Sequence, residues 1–202
     1  NMSHEIRTPL NAVVGFSTLI CGDECLKEDF LTYKEIIKLN SKMLLKLVND
    51  ILDLSKIESG TLALNLGRVS IKEICNNVYA SVCCGREADG NVEVFLEASF
   101  NCIVNTDAER ISQVITNFMN NALKFTKQGR GILSTARYDE LTVGVSVVDT
   151  GKGVPESEIN NIFQRFVKLD AFAQGSGIGL AISKSIIEML GGEIGVDSEV
   201  GK

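Results

Sequence analysis

The chain has a single histidine, His4, among its 202 residues. Its six cysteines (Cys21, Cys25, Cys75, Cys83, Cys84 and Cys102) include no Cys-x-x-Cys pair, so a tetrahedral zinc site lacks ligands. They read as reduced, partly buried thiols of a reducing compartment. No Lys/Arg cluster interrupts the net charge of −6, which excludes the electrostatic footprint of a nucleic-acid binder. No apolar run approaches the roughly 20 residues of a bilayer span, and no signal peptide is present, so no membrane contact is expected from this segment. Internal repeats and low-complexity tracts are absent, and the one linker is the short stretch near residues 59–66. Both ends read as cut from something longer: the first residues lie inside a helical pattern, and Glu199-Val200-Gly201-Lys202 reads as an unfinished hairpin turn. What remains is a globular, soluble composition, 45% apolar and 23% charged, long enough for one or two domains with a proper core.

Two periodicities divide the chain. Up to about residue 59 the pattern is helical: Ile6, Leu10, Val13, Ser17 and Ile20 step by four and three, and after a polar break at Cys21–Glu24 the same alternation runs through Tyr33, Ile37, Asn40, Leu44, Leu47, Ile51 and Leu54. A second stripe passes through Leu45, Val48 and Leu52. Two helices with wide apolar faces and a short link predict an antiparallel hairpin, which cannot bury both stripes alone and is expected to dimerise into a four-helix bundle. Ser59-Gly60 supplies a C-cap. Beyond residue 62 helix and strand mix. Residues 92–96, 131–138 and 141–148 read as strands, the last nearly all apolar and therefore central; residues 71–82, 108–125 and 178–190 read as helices. The architecture expected is a layered α+β fold with helices on one face.

Five segments carry chemistry. In Ser3-His4-Glu5-Ile6-Arg7-Thr8-Pro9-Leu10-Asn11 an imidazole able to accept a phosphoryl group adjoins a carboxylate that can hold its tautomer and take its proton, with a hydroxyl one turn on. A solvated histidine beside a glutamate would look the same, so the rest of the chain must decide. Asn117 and Asn121, four apart, share one helix face, read as opposite Val114 and Phe118, with Lys124 a further turn on. Neutral oxygen ligands of this kind suit Mg²⁺ already carrying phosphate charge. Asp149-Thr150-Gly151-Lys152-Gly153 puts a carboxylate at a strand end, where it can accept from an exocyclic amine such as that of adenine. Phe163 and Phe166 are read three apart on a short helix as anchors of a loop running from Val167 to Gln174. Gly175-Ser176-Gly177-Ile178-Gly179 opens a helix and offers backbone N–H groups to phosphate, without the strand context of a Rossmann loop or the Lys-Ser/Thr ending of a P-loop.

In order, these segments resemble the transmitter core of a bacterial sensor histidine kinase, of a kind similar to hybrid two-component proteins. Ser3–Asn11 looks like the H box, Asn117–Thr126 the N box, Asp149–Gly153 the G1 box, Phe163–Phe166 the F box and Gly175–Gly179 the G2 box. The resemblance implies a dimerisation and phosphotransfer hairpin over residues 1–59. It implies an α+β sandwich of the histidine-kinase, chaperone and topoisomerase ATPase type over residues 60–202, short of its final strand. It further implies ATP and Mg²⁺ as cofactors, a homodimer, a response-regulator receiver domain as partner, and the cytoplasmic side of an inner-membrane-anchored protein as location.

By the same resemblance His4 would be the phosphoacceptor, Glu5 its orienting base, and Thr8 the residue that positions water when a partner is dephosphorylated. Pro9 removes a backbone N–H and sets a kink. Asn121, with Asn117, would bind Mg²⁺; Lys124 would contact phosphate, Phe125 would line the base pocket and Asp149 would recognise adenine. Gly151, Gly153, Gly175, Gly177 and Gly179 would shape the pocket and its lid, and Arg7 is a candidate for docking the partner. Related ATPases carry a glutamate that activates water where this chain has Asn117; a neutral amide cannot serve as that base, which directs the phosphoryl group to His4. The alternative is a dimeric scaffold that binds nucleotide without kinase activity, and net phosphatase activity is a further reading.

Overall fold

A computed structural model describes residues 2–22, 27–83, 92–97, 102–126, 129–137, 142–169 and 175–201. The chain forms two compact units, residues 1–62 with 170–179, and residues 63–169 with 180–202.

The first unit is built on two long helices, α1 (Met2–Ile20) and α2 (Lys27–Glu58). Ile6, Val13, Ser17 and Ile20 are half-buried as the stripe predicts, while Leu10 is exposed. On α2 the predicted seam is the covered one, with Leu47 and Leu54 buried along it. Asn40 within that seam satisfies its own amide by donating Nδ2–H to the Ile36 carbonyl at 2.8 Å. Phe16 and Tyr33 cross-brace the two helices with ring centroids 5.2 Å apart, the range in which tilted aromatic pairs attract. The second stripe stays open: Leu45, Val48 and Leu52 are 64%, 41% and 52% exposed. Gly60, at φ +65°, turns the chain out of α2 while the Thr61 and Leu62 N–H groups both donate back to the Lys56 carbonyl, at 2.9 and 3.1 Å. This is the expected glycine cap.

The second unit packs helices against one face of a mixed sheet. Strands β1 (Gly67–Ser70) and β3 (Ile103–Thr106) pair antiparallel, with Gly67 opposite Thr106. Strands β2 (Val92–Glu97), β4 (Gly129–Arg137) and β5 (Val143–Asp149) run in the order β2-β4-β5, parallel then antiparallel. Helix α3 (Ile71–Cys83) starts on a serine N-cap: Ser70 Oγ accepts from the Glu73 N–H at 3.2 Å, three residues on. Helix α4 (Ala108–Phe125) starts on Asp107, which accepts from the Glu109 and Arg110 N–H groups through Oδ1 and from the Asn65 N–H through Oδ2. The core joins Ile71, Ile74, Cys75 and Val78 of α3 to Ile115 and Met119 of α4. Val94 and Leu96 of β2 and Val143, Val145 and Val147 of β5 pack against it, at the two-residue spacing of a strand with one covered face. Helix α5 (Gly179–Met189) buries Ala181, Ile182, Ser183 and Ile186.

Three expectations are corrected. Strand β5 lies at the side of the described sheet and β4, paired on both edges, at its centre; the apolar residues of β5 divide between faces, with Val148 53% exposed, so its apolar run does not mark a central strand. The residues around Phe163 and Phe166 form turns, after a single 3₁₀ turn at Glu156–Glu158, and Phe166 at φ +63° breaks any helical path. The asparagines do not lie opposite Val114, which is buried on their own side of α4, three and seven residues before them; they lie across the helix from Ile115 and Met119, the side that joins the core. Strands β1 and β3 were not foreseen. Residues 170–174, the greater part of the expected lid, lie outside the described residues, as do Cys25, Cys84, Tyr138 and Leu141. The described cysteines carry free thiols; burial, then the neighbouring Cys102, push the Cys75 thiol up to about 11, so it stays protonated.

Candidate functional site

Within the second unit the C-terminal turn of α4 and the loop after β5 meet. Strand β5 ends on Asp149, and the ladder to β4 is prolonged by one exchange: the Thr150 N–H donates to the Arg130 carbonyl at 3.1 Å, and the Arg130 N–H to Thr150 Oγ1 at 2.9 Å. The chain then folds back over α4. Asp149 Oδ1 accepts from the Gly151 N–H at 2.8 Å and from the hydroxyl of Thr126, the buried residue that caps α4, at 3.4 Å. One carboxylate oxygen is thus tied down by protein, while the other takes no donor from the described residues.

Glycine is required in this loop for space as well as for conformation. A methyl group on Gly151 would lie 2.6 Å from Asp149 Oδ1 and 2.9 Å from the Phe125 carbonyl oxygen. Gly153, at φ +70°, sits against the Glu199 carbonyl, where no side chain fits. The far side of the loop is held by residues 198–201: Ser198 Oγ accepts from the Val154 N–H at 2.8 Å, and the Gly201 N–H donates to the Lys152 carbonyl at 3.3 Å. Two ammonium groups attend the Phe125 ring, Lys124 Nζ at 4.6 Å and Lys152 Nζ at 5.0 Å from its centroid.

Further back on α4, Asn117 and Asn121 are both half-buried on one face. Asn117 Nδ2–H donates to Ser183 Oγ of α5 at 3.1 Å, which fixes the amide orientation and leaves its carbonyl oxygen as an acceptor. Among the described residues no group of three His, Cys, Asp or Glu side chains could hold a metal ion.

Asn117, Asn121, Lys124, Phe125, Asp149, Gly151 and Gly153 therefore share the second unit. His4, Glu5, Thr8, Gly175, Gly177 and Gly179 belong to the first. His4 is exposed on the first turn of α1, Glu5 half-buried beside it, and the Thr8 hydroxyl donates to the His4 carbonyl at 3.2 Å. Pro9 continues the helix without an N–H of its own. Gly175 and Gly177 hold φ of +131° and +66°, and Gly179 is the first residue of α5. Between them Ser176 Oγ donates to Asp50 Oδ2 at 3.5 Å, and burial raises the Asp50 carboxyl above the ordinary carboxylate range.

Two family models match the sequence. His Kinase A (phospho-acceptor) domain covers residues 1–60, and Histidine kinase-, DNA gyrase B-, and HSP90-like ATPase covers residues 106–202. The chain belongs to the sensor histidine kinases. It is their transmitter core, and its fold class is the expected one. Autoinducer 2 sensor kinase/phosphatase LuxQ of Vibrio vulnificus is 37% identical over 213 residues, covering all of this chain and 24% of LuxQ. Full-length ShkA, solved in complex with AMPPNP, superposes with a TM-score of 0.76 at 33% identity over 99% of this chain and 42% of that one. Histidine kinase ThkA, solved in complex with response regulator protein TrrA, gives a TM-score of 0.67 at 25% identity over 94% of this chain and 53% of that one. The kinase core spans about a quarter of the length of the curated relatives it matches. No helix among its described residues is long and apolar enough to cross a membrane.

Around the candidate residues stand supports that no local sequence signal marks. Thr126 ends the N-box segment and acquires its role from Asp149; Ser183, Lys152 and the 198–201 segment are likewise marked only by contacts distant in sequence.

Proposed function

We propose that this chain uses ATP to phosphorylate His4 and then passes the phosphoryl group to an aspartate of a response-regulator receiver domain. The observation that carries the reading is the coincidence, on one chain, of a phospho-acceptor match holding the sole histidine and an ATPase match holding the anchored Asp149 carboxylate. An imidazole nitrogen of His4 attacks the γ-phosphorus, the P–N bond forms as the bond to the β-phosphate oxygen breaks, and ADP leaves. Glu5, adjacent on α1, orients the ring and takes the imidazole proton. The phosphoryl group then moves from nitrogen to a carboxylate oxygen of the partner.

On the donor side, the unengaged oxygen of Asp149 accepts from the adenine amino group, and Phe125 lines the base pocket. Lys124 contacts phosphate, and Gly151, Gly153, Gly175, Gly177 and Gly179 admit the nucleotide to backbone. The half-buried asparagine pair fits Mg²⁺, a hard cation that takes one or two neutral oxygens and completes its shell with phosphate and water; Asn121, assisted by Asn117, would hold it, and it would neutralise developing charge on the transferred group. Because Asn117 donates its amide to Ser183 and has no basic atom, water is not activated at that position.

The functional division proposed is residues 1–59 for dimerisation and phosphotransfer and 60–202 for catalysis. Homodimerisation is favoured by the uncovered Leu45/Val48/Leu52 stripe, and partner transfer by the ThkA–TrrA complex. Thr8, with Arg7 near it for docking, supports a phosphatase reaction on the same partner, a pairing of activities that the name of LuxQ also carries. Use of ATP favours a cytoplasmic location for this core; the anchor in an inner membrane and the hybrid organisation are proposed from the resemblance alone. Incubation with γ-labelled ATP and Mg²⁺ tests the central claim. Acid-labile, base-stable label is expected on the wild type and none on His4→Ala; label that survives in His4→Ala overturns the assignment, since no other histidine exists.

A further inference from the structure

We infer that Ser183 is a positioning residue for the metal, its hydroxyl fixing which end of the Asn117 amide is presented to the ion; this rests on the reading of Asn121 and Asn117 as the Mg²⁺ ligands. Asn117 lies on α4 and Ser183 on α5, 66 residues on in the sequence, and Asn117 Nδ2–H donates to Ser183 Oγ at 3.1 Å. An asparagine side chain has a donor end and an acceptor end, and only the acceptor end can ligate a cation. Holding the N–H₂ end against α5 turns the carbonyl oxygen away from α5. Asn121, one turn further along α4, shares that face.

The hydroxyl is not there for packing. Ser183 is 2% exposed, and the residues buried with it on α5, Ala181, Ile182 and Ile186, are apolar. A hydroxyl in such surroundings costs free energy unless it is hydrogen-bonded, and alanine would occupy the space without that cost. A serine inside a helix has the carbonyl four residues back within reach of its hydroxyl hydrogen, which leaves the oxygen to accept. Ser183 makes a further interaction of its own within the protein, so it holds the amide from a fixed place. Both partners ride on helices, and the amide is set before an ion arrives. Without the hydroxyl, Asn117 is free to take other rotamers and either amide orientation, and ordering it falls to the binding step. Ser183 therefore acts through Asn117 on the cation. Recognition of the base, assigned to Asp149 and Phe125, does not pass through it.

The test is calorimetric titration of the chain with ATP, once in Mg²⁺ and once in EDTA, read as the ratio of the two affinities. Ser183→Ala removes the hydroxyl, and Ser183→Cys keeps nearly the same volume with a poor acceptor in its place. Each is expected to lower the ratio about three- to tenfold, near the lower end of the range for partners that orient a metal ligand, with ATP affinity in EDTA close to wild type. In an Asn117→Ala background the same substitutions should lower the ratio no further, because the residue they act through is gone. An unchanged ratio in either Ser183 variant, ATP affinity that falls equally in Mg²⁺ and in EDTA, or a full effect in the Asn117→Ala background overturns the role of Ser183. A wild-type ratio in Asn121→Ala overturns the reading of the Mg²⁺ ligands themselves, a separate result.

Discussion

Asp149 has one carboxylate oxygen committed to structure, and the proposed function assigns the other to adenine. Gly151 and Thr126 hold Oδ1. In Asp149→Asn the amide must keep its oxygen toward those donors, which turns an N–H₂ toward the ligand where an acceptor is needed. A donor facing a donor costs about 1.5–3 kcal/mol, so ATP affinity should fall at least tenfold with thermal stability little changed, as titration and melting will show. Gly153 makes a different demand. Its positive φ and the Glu199 carbonyl leave no volume for Cβ, so Gly153→Ala must displace the loop or residues 198–201. A loss of more than about 2 kcal/mol in urea unfolding is expected, with ATP binding impaired in the fraction that folds.

At the scale of elements, α4 depends on its first residue. Asp107 is buried, which alone would raise its carboxyl. Backbone hydrogen bonds from Asn65, Arg110 and Glu109, with the Arg110 charge, outweigh that and hold it below the ordinary carboxylate range. A carboxyl depressed in the folded state contributes its stability above its unfolded value, near 3.9, and loses it as pH falls towards the folded value. Asp107→Ala should therefore cost about 1–2 kcal/mol at pH 7 and flatten the acid limb of the stability curve below about pH 4, measured by urea unfolding across pH. Helix α4 is also where sequence and structure agree best. Its cap and its last residue follow from the 3.6-residue period and from Asp107, which are local signals. Strands β1 and β3, four residues each, are too short for alternation to register, and the rank of β5 in the sheet depends on pairing that no local pattern encodes. The apolar side of α4 was misjudged for the same reason: Val114 is buried as well as Ile115, and two covered sides blur a one-face reading. In the candidate site the chemistry-bearing side chains were legible because their chemistry fixes their residue type. Thr126, Ser183 and Lys152 were not, since a hydroxyl or an ammonium acquires meaning only from what folding sets beside it.

For the whole molecule, the uncovered stripe of α2 is the largest unsettled demand of the sequence. Glutamate at both Val48 and Leu52 should leave the hairpin intact, since neither residue belongs to the α1-facing seam. The same change should make a homodimer pay for buried charge. Sedimentation equilibrium is expected to shift from dimer to monomer and His4 labelling to fall, while ATP affinity holds; a persistent dimer would show that another surface mediates association. The nucleotide loop carries a consequence of another kind. Residues 198–201 grip the backbone at Lys152 and Val154 through two hydrogen bonds and a glycine contact with no slack. Any displacement of that segment is therefore passed to the backbone of the loop that follows Asp149, at Gly153 with no side chain between them to absorb it.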